Sequence, residues 1–386
     1  MSFAAHPLWA AGFRPFFSLA CLSGAVLPLA WIAIYAGWLP PPAASFSIVQ
    51  WHVHEMFFGF GWAVLGGFLL TASKNWVGIR GYHGWSLVYL AAAWLLDRLA
   101  MVFQAKLPPL AFLLANHLFL LSIVAMLAWT LIRHGKRDSF RDNYFFLIAL
   151  PLFIVAKTLL LDSEGYRTGV LMTLGLFRLA FLVMFERTLT QFMQNTFQVA
   201  ILRDPRLDLS IKSLALLLVF AGLLPAPLAT TLDILLALLL AWRFAYWKPQ
   251  LALRRLELGI SYLGYLAIIA QLLVAAADSL LTPAWVGSVA VHLFSFGVMG
   301  LVIPAMITRI SLGHTGRKVA FEPRDKAVLY LMIAAVALRL LGPQLAPAAY
   351  RSWLALAAIC WSLGFAALAW RCLPLLWRPR VDGKAG

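Results

Sequence analysis

Residues 50–71 read QWHVHEMFFGFGWAVLGGFLLT, an apolar run in which only His52, His54 and Glu55 ionise readily. A run of roughly 20 apolar residues is long enough to cross the hydrocarbon core of a bilayer as one helix. Further runs of this kind lie at 16–37, 84–104, 108–132, 143–162, 166–194, 211–226, 228–247, 258–280, 283–309, 327–343 and 347–371. The sequence therefore predicts an all-α, polytopic integral membrane protein of about twelve transmembrane helices, in a single helical-bundle domain over residues 1–386.

The composition indicates the same class of protein. Of the 386 residues, 63% are hydrophobic and 12% are charged, whereas soluble domains carry about 25% charged residues. The net charge of +16 would indicate a nucleic-acid partner in a soluble chain, but here the basic residues lie in short loops, where they set topology. We therefore expect the lipid bilayer as a partner and no nucleic acid.

The basic residues are distributed unevenly between the two sides of the predicted bundle. About 23 of them lie in the termini and the even-numbered connections, and about 4 lie in or beside the odd-numbered ones, namely Lys106, Arg167, Arg339 and Arg351. Because cytoplasmic loops are enriched in Lys and Arg, both termini are predicted to be cytoplasmic.

Four of the eight histidines lie inside predicted spans and, with this topology, in the outer half of the membrane: His52, His54, His117 and His292. The last two are about nine residues into their spans, or about 13 Å deep at 1.5 Å per residue. An ionisable group in hydrocarbon is costly and is a functional hypothesis by default. Four imidazoles at one depth indicate a metal or haem site, and the haem would be bound non-covalently because Cys-x-x-Cys-His is absent.

The pair His52 and His54 leaves two arrangements open. Side chains two residues apart on a helix point about 200° from each other, so both ligate one metal only if the helix begins between them. Otherwise they serve two centres, or one of them is hydrogen-bonded to a neighbouring helix. Glu55 is the candidate catalytic acid, which would orient an imidazole or deliver protons.

The pattern His-x-x-x-Phe-Gly occurs at 54–59 and again at 292–297. The repeat is consistent with two axial histidines on either side of one haem, or with a coincidence of six residues. Met299 lies two turns beyond His292 and offers a thioether for copper(I), although a buried methionine more often fills space.

Three further residues fall near the predicted histidine layer. His117 is either another ligand or a polar contact between helices. Arg98 and Lys157 are candidates for binding haem propionates through charge-assisted hydrogen bonds. The alternative is an internal ion pair of either residue with Asp97.

Several sequence blocks together resemble the NnrS family: Gly12-Phe-Arg-Pro-Phe-Phe17, Trp51-His-Val-His-Glu-Met56 and Thr308-Arg-Ile-Ser-Leu-Gly-His-Thr-Gly-Arg317. The resemblance, which extends along most of the chain, implies a multi-pass protein of the bacterial inner membrane that contains haem b and copper. It also implies a link to denitrification and to resistance to nitric oxide. The family-motif residues are His52, His54, Glu55, His292, Arg309 and His314, and the resemblance does not divide them between haem and copper.

Competing functions follow from these observations. The first is a haem and copper protein of nitric oxide metabolism or nitrosative-stress protection, with nitric oxide as a small gaseous ligand and an unidentified electron donor. The second is a transporter or permease for a metal or small molecule, in which buried histidines and charges act as relays. A third is a haem-dependent sensor or assembly factor without turnover.

Overall fold

The computed structural model describes residues 3–138, 140 and 143–383. These residues form helices that are joined by short loops. Arg141 and Lys384, two of the loop charges counted above, lie outside them. Within the described ranges, eleven helices are long and apolar enough to cross a membrane. The chain is therefore an all-helical, multi-pass membrane protein. The cytoplasmic position of the termini stays a prediction.

The chain divides into two compact units. The first comprises the described parts of Met1–Tyr166, Ile307–Ala320 and Phe365–Gly386. Its helices are α1 (Phe13–Tyr35), α2 (Ile48–Trp76), α3 (Trp85–Val102), α4 (Pro109–Arg133) and α5 (Tyr144–Leu161).

The second unit comprises Arg167–Met306 and Phe321–Gly364. Its helices are α6 (Tyr166–Phe197), α7 (Pro205–Leu217), α8 (Ala226–Tyr246), α9 (Leu256–Leu280), α10 (Val289–His314), α11 (Pro323–Leu340) and α12 (Tyr350–Leu376). The last parts of α10 and α12 belong to the first unit. The single domain expected over residues 1–386 stays a prediction.

The seventh predicted span, 211–226, has a different structure from the others. Here the chain forms the 13-residue helix α7, continues as a 3-10 segment over Leu218–Leu223, and starts α8 after Pro225. Pro225 thus divides the apolar run into two helical segments. Helix α7 has only 13 residues, with charged residues in its first turns, and it is not among the eleven candidate spans. The count of about twelve crossings stays a prediction.

The tenth span begins later than the sequence indicated. Its helix starts at Val289 rather than at residue 283, because Pro283 and Gly287, with φ of +80°, interrupt the backbone before it. His292 consequently lies in the first turn of α10, and not about nine residues into the helix as predicted.

Helices α2 and α10 each contain a π-helical segment, over Glu55–Gly61 and Ser295–Gly300 respectively. The two segments include the Phe-Gly pairs of the repeated pattern at 54–59 and 292–297. A π-helical turn holds an extra residue and is frequent at functional sites. The repeated sequence pattern therefore coincides with a π-helical segment in both helices.

The start of α2 is fixed by a capping box. The Ser47 hydroxyl accepts the backbone N–H of Gln50 at 3.2 Å, and the Gln50 side chain accepts the N–H of Ser47 at 2.8 Å. The Gln50 amide also donates to the carbonyl of Leu160 at the end of α5. Further along α2, a Cβ on Gly67 would come within 2.7 Å of Phe16 Cβ, so α1 packs closely there. These contacts hold His54 in place.

Candidate functional site

The first unit contains a buried group of polar side chains contributed by helices α2, α3, α4 and α5. This group, called the Asp97 cluster below, consists of His54, Glu55, Asp97, Arg98, Asn116 and Lys157. His54, Asp97, Asn116 and Lys157 have no exposed surface. A buried charge is costly unless it is paired, so the charges of the cluster must be matched from within it.

Asp97 is the centre of the cluster. Its Oδ2 atom lies 2.7 Å from Lys157 Nζ and 2.6 Å from Arg98 Nη2. Its Oδ1 atom accepts a hydrogen bond from Asn116 Nδ2 at 2.8 Å, and Lys157 also donates to the backbone carbonyl of Asn116. Arg98 and Lys157, which were considered for haem propionates, therefore form the alternative ion pairs, and both of them pair with Asp97.

His54 has a partner on each ring nitrogen. Its Nδ1 atom lies 3.2 Å from Glu55 Oε1, and its Nε2 atom lies 3.2 Å from Asn116 Nδ2. An amide nitrogen only donates, so Nε2 accepts and Nδ1 carries the proton that is donated to Glu55. Arg98 Nε lies 3.4 Å from the other Glu55 oxygen. Glu55, the predicted acid, is thus joined to both the imidazole and a guanidinium.

Asn116 is incompletely satisfied in the Asp97 cluster. Three acceptors surround its Nδ2 atom: Asp97 Oδ1 at 2.8 Å, His54 Nε2 at 3.2 Å and Met101 Sδ at 3.4 Å. An amide nitrogen has two protons for these three acceptors. The buried Oδ1 atom of Asn116 has no hydrogen-bond partner within the described chain. Neither Asn116 nor Met101 was among the site residues predicted from the sequence.

His52 and His117 have other contacts. The His117 Nε2 atom lies 3.1 Å from Thr158 Oγ1, and its Nδ1 atom lies 3.2 Å from the carbonyl of Leu113. These contacts match the second interpretation of His117, a polar contact between helices. The ring of His52 stacks on Trp31, with 4.2 Å between the ring centroids. The structure thus brings Arg98, Lys157 and Glu55 to His54, and gives His52 and His117 partners outside the Asp97 cluster.

His292 and Met299 belong to the second unit. The Nδ1 atom of His292 donates to the carbonyl of Ser288 at 2.7 Å, and Arg339 Nη2 lies 3.2 Å from each ring nitrogen. Met299 is buried within the π-helical segment of α10. Their roles as haem or copper ligands stay predictions.

The family-motif block around Arg309 and His314 is held by the C-terminal segment. Arg380 donates to the carbonyl of His314 at 2.8 Å, and the N–H of Val381 donates to the carbonyl of Thr315 at 3.1 Å. The hydrogen bonds from Arg380 to Asp382 raise the pKa of Arg380. This C-terminal contact orders one end of the first unit.

The block at residues 12–17 meets the same C-terminal segment. Arg14 donates from Nη1 to the carbonyls of Leu376 and Arg378, at 2.9 and 2.7 Å. Two blocks that lie almost 300 positions apart in sequence are therefore held by one short segment, and both belong to the first unit.

The second unit contains a charged cluster that sequence reasoning did not resolve. Glu186 is buried and pairs with Arg203 at 2.7 Å and with Lys212 at 2.9 Å. Asp208 pairs with Arg243 at 3.0 Å. The signal was the set of acidic and basic residues over 203–212, which lie before or at the start of the predicted seventh span.

No group of three or more His, Cys, Asp or Glu side chains is arranged to hold a metal ion in the part of the chain that the structure describes. A metal site in the Asp97 cluster would therefore include a different kind of donor, and the Met101 thioether, 3.4 Å from Asn116 Nδ2, is one.

Comparison with known proteins assigns the chain to a family. The sequence model of the family described as NnrS protein matches residues 7–380, nearly the whole chain. No curated protein matches it. The matched range includes the sequence blocks described above, the Asp97 cluster and both π-helical segments. The chain therefore belongs to the NnrS family.

Proposed function

We propose that this chain is a metal-binding protein of the bacterial inner membrane that acts in nitric oxide metabolism or in protection against nitrosative stress. Family membership over residues 7–380 supports haem and copper as its cofactors. The observation that supports a site in this chain is the Asp97 cluster, since ionisable groups buried in membrane helices are retained for function.

The donor chemistry of the Asp97 cluster fits copper. His54 Nε2, Met101 Sδ and Asp97 Oδ1 all lie within 3.4 Å of one atom, Asn116 Nδ2. An imidazole nitrogen and a thioether sulfur are donors that copper prefers, and a carboxylate adds a negative charge. These three side chains would hold the ion once the Asn116 amide turned aside. The ion would then replace the Nδ2 protons as the partner of these three atoms, and the Asn116 Oδ1 atom has no hydrogen bond within the described chain to lose.

Haem does not fit the same side chains as they are arranged. His54 Nε2 lies 3.2 Å from Asn116 Nδ2 and 3.9 Å from Asp97 Oδ1, so a flat macrocycle has no room beside this nitrogen, whereas a single ion needs only the place of the Asn116 amide. Arg98 and Lys157 are held by Asp97, so neither offers its full set of donors to a propionate. Haem b, with His52, His117 and His292 as its candidate ligands, therefore stays a prediction that family membership supports.

The residues of the Asp97 cluster have separable roles. Copper, when bound, supplies one-electron redox chemistry and a coordination position for a small ligand such as nitric oxide. Glu55 accepts a hydrogen bond from Nδ1–H of His54. This bond fixes the tautomer in which Nε2 is unprotonated and faces Asp97 and Met101. Because Glu55 lies 3.2 Å from that nitrogen, it can accept the Nδ1 proton and return it. Arg98 holds the second Glu55 oxygen.

The same cluster supports a second candidate, a transporter that uses buried charges as relays. The observation that favours it is the chain of contacts from Glu55 through Arg98 and Asp97 to Lys157, which joins helices α2, α3 and α5. Alternating arrangements of such pairs couple proton movement to substrate movement in transporters. A transporter of this kind requires no bound chromophore.

A purified sample separates the two candidates. The full chain in detergent is analysed for copper and iron, and its visible spectrum is recorded before and after addition of nitric oxide. Bound copper together with a haem absorption band that shifts with nitric oxide supports the first candidate. A folded, colourless and metal-free protein rejects it in favour of the second. Consumption of nitric oxide with an added reductant then distinguishes turnover from binding.

A further inference from the structure

A second site lies in the first unit, far from the Asp97 cluster. It is a cavity of about 300 Å³ beside the loop that joins α2 to α3. Its lining includes Leu70 and Lys74 in the last turns of α2, whereas His54 lies 20 residues before Lys74 in that helix. At 1.5 Å per residue the two positions are roughly 30 Å apart along α2. The cavity is therefore separate from the candidate metal site.

The cavity is basic. Lys74, Arg80, His83 and His134 line it, and its lining contains no Asp or Glu. Lys74 also lies within electrostatic range of Arg14 and Arg80, and of Arg380, whose charge is balanced by Asp382. Cations gathered in this way repel one another, and an anion placed among them relieves that repulsion. The lining therefore favours a negatively charged ligand.

The loop beside the cavity has a fixed conformation. The Tyr82 hydroxyl donates to the carbonyl of Met126 on α4 at 3.0 Å. The His83 ring donates from Nδ1 to the carbonyl of Gly81 at 2.9 Å, and the Ser86 hydroxyl donates to the carbonyl of His83 at 2.9 Å. The N–H of Gly84 donates to the carbonyl of Trp9 at 2.7 Å. The basic groups are thus carried on an ordered loop, which lowers the entropy cost of binding.

The wall of the cavity contributed by α4 carries exposed apolar surface. Trp129 lines the cavity and is 63% exposed, and Ile132 in the next turn is 69% exposed. In a membrane-spanning helix, exposed apolar residues contact lipid, and tryptophan prefers the headgroup level. Leu70 and Ile79 add apolar surface to the same lining. A ligand in this cavity can therefore meet cations at one side and lipid-facing groups at the other.

We propose that this cavity binds the phosphate group of an anionic ligand, and that a phospholipid headgroup is the source favoured by its lining. Basic pockets between membrane helices at the cytoplasmic surface recognise anionic lipids in this way, and the predicted topology places this end of the unit in the cytoplasm. Lys74 and Arg80 supply charge-assisted hydrogen bonds to the phosphate oxygens. The volume is at the lower end of the range for small-molecule sites, which suits a headgroup.

Native mass spectrometry of the full chain in detergent tests the proposal. Phosphatidylglycerol, phosphatidylcholine and inorganic phosphate are titrated separately, and the apparent affinity of the first bound ligand is compared. We expect phosphatidylglycerol to bind more tightly than phosphatidylcholine. The double variant Lys74→Gln/Arg80→Gln should bind the first phosphatidylglycerol about tenfold more weakly, whereas Lys74→Arg/Arg80→Lys should retain most of the affinity.

The matched control is Lys136→Gln/Arg137→Gln, which removes the same charge from exposed residues that follow α4 and do not line the cavity. An equal loss of affinity in this control would overturn the proposal, as would equal binding of the two phospholipids without binding of phosphate. A third outcome is that inorganic phosphate binds, that the cavity variant abolishes this binding, and that the two lipids bind equally. This outcome supports the site and identifies free phosphate, not a lipid headgroup, as its ligand. If the double variant does not fold, Arg80→Gln alone, at an exposed side chain, should lower the affinity about threefold.

Discussion

Lys157 on α5 and Asp97 on α3 form an ion pair of 2.7 Å between Nζ and Oδ2, and neither side chain has any exposed surface. Water cannot reach either charge, so the loss of one partner leaves the other uncompensated. Arg98 approaches the same carboxylate oxygen, and Asn116 donates to the second oxygen. The packing of α3, α4 and α5 therefore depends on one buried carboxylate.

The first prediction concerns this ion pair. Lys157→Met should lower the free energy of unfolding by about 3–5 kcal/mol, because it leaves Asp97 with one cation in place of two. Combining it with Asp97→Asn should cost less than the sum of the two single changes. Unfolding of the detergent-solubilised protein by added denaturing detergent measures both. Lys106→Met, at an exposed position, is the control. Additive losses would show that the two residues are not coupled.

The second prediction concerns Gly59 in the π-helical segment of α2. A Cβ at this position would overlap Arg98 Nη1 and lie 3.3 Å from Glu55 Oε2. Arg98 is held between two carboxylates and cannot move aside without breaking an ion pair. Gly59→Ala should therefore destabilise the protein by about 1–3 kcal/mol.

The control for Gly59 is Gly135→Ala, because a Cβ on Gly135 meets no atom within 4 Å. Thermal unfolding in the same detergent compares the two variants. A wild-type melting temperature for Gly59→Ala would mean that Arg98 is not confined as the structure indicates.

The third prediction concerns Asn116. Asn116→Leu removes the donor shared by Asp97 and His54 and leaves buried acceptors unsatisfied. Such groups cost about 1–3 kcal/mol each, so this variant should lose stability in chemical unfolding. Asn195→Leu changes an exposed asparagine and should have a small effect. Similar losses in both variants would argue against a special role of Asn116.

The sequence predicted the helical architecture well because hydropathy depends on local composition. Eleven of the twelve spans correspond to candidate membrane-crossing helices among the described residues, including the long helix at 166–197, and the span at 211–226 does not. The start of α10 was predicted too early, because Pro283 and Ser288 lie in an apolar run that hydropathy does not divide. The π-helical segments were not predicted, because the shift in backbone hydrogen bonding leaves no mark in composition.

The candidate site could be predicted only in part. Charge bias and span position gave the depth of His54, Arg98 and Lys157, and these three side chains do lie in one cluster. Depth says nothing about lateral neighbours, so the stacking of His52 on Trp31 and the contact of Met101 with Asn116 could not be anticipated. Whether two polar groups at the same depth come into contact depends on how their helices are rotated and packed.

The most direct test compares the copper content of His54→Ala and His117→Ala, two substitutions of buried histidines in the same unit. If the Asp97 cluster holds copper, His54→Ala should lower the bound copper at least about tenfold and change the electron paramagnetic resonance signal of copper(II). His117→Ala, whose ring nitrogens contact Thr158 and Leu113, should keep both. A folded His54→Ala protein with wild-type copper content and an unchanged signal would contradict the proposed site.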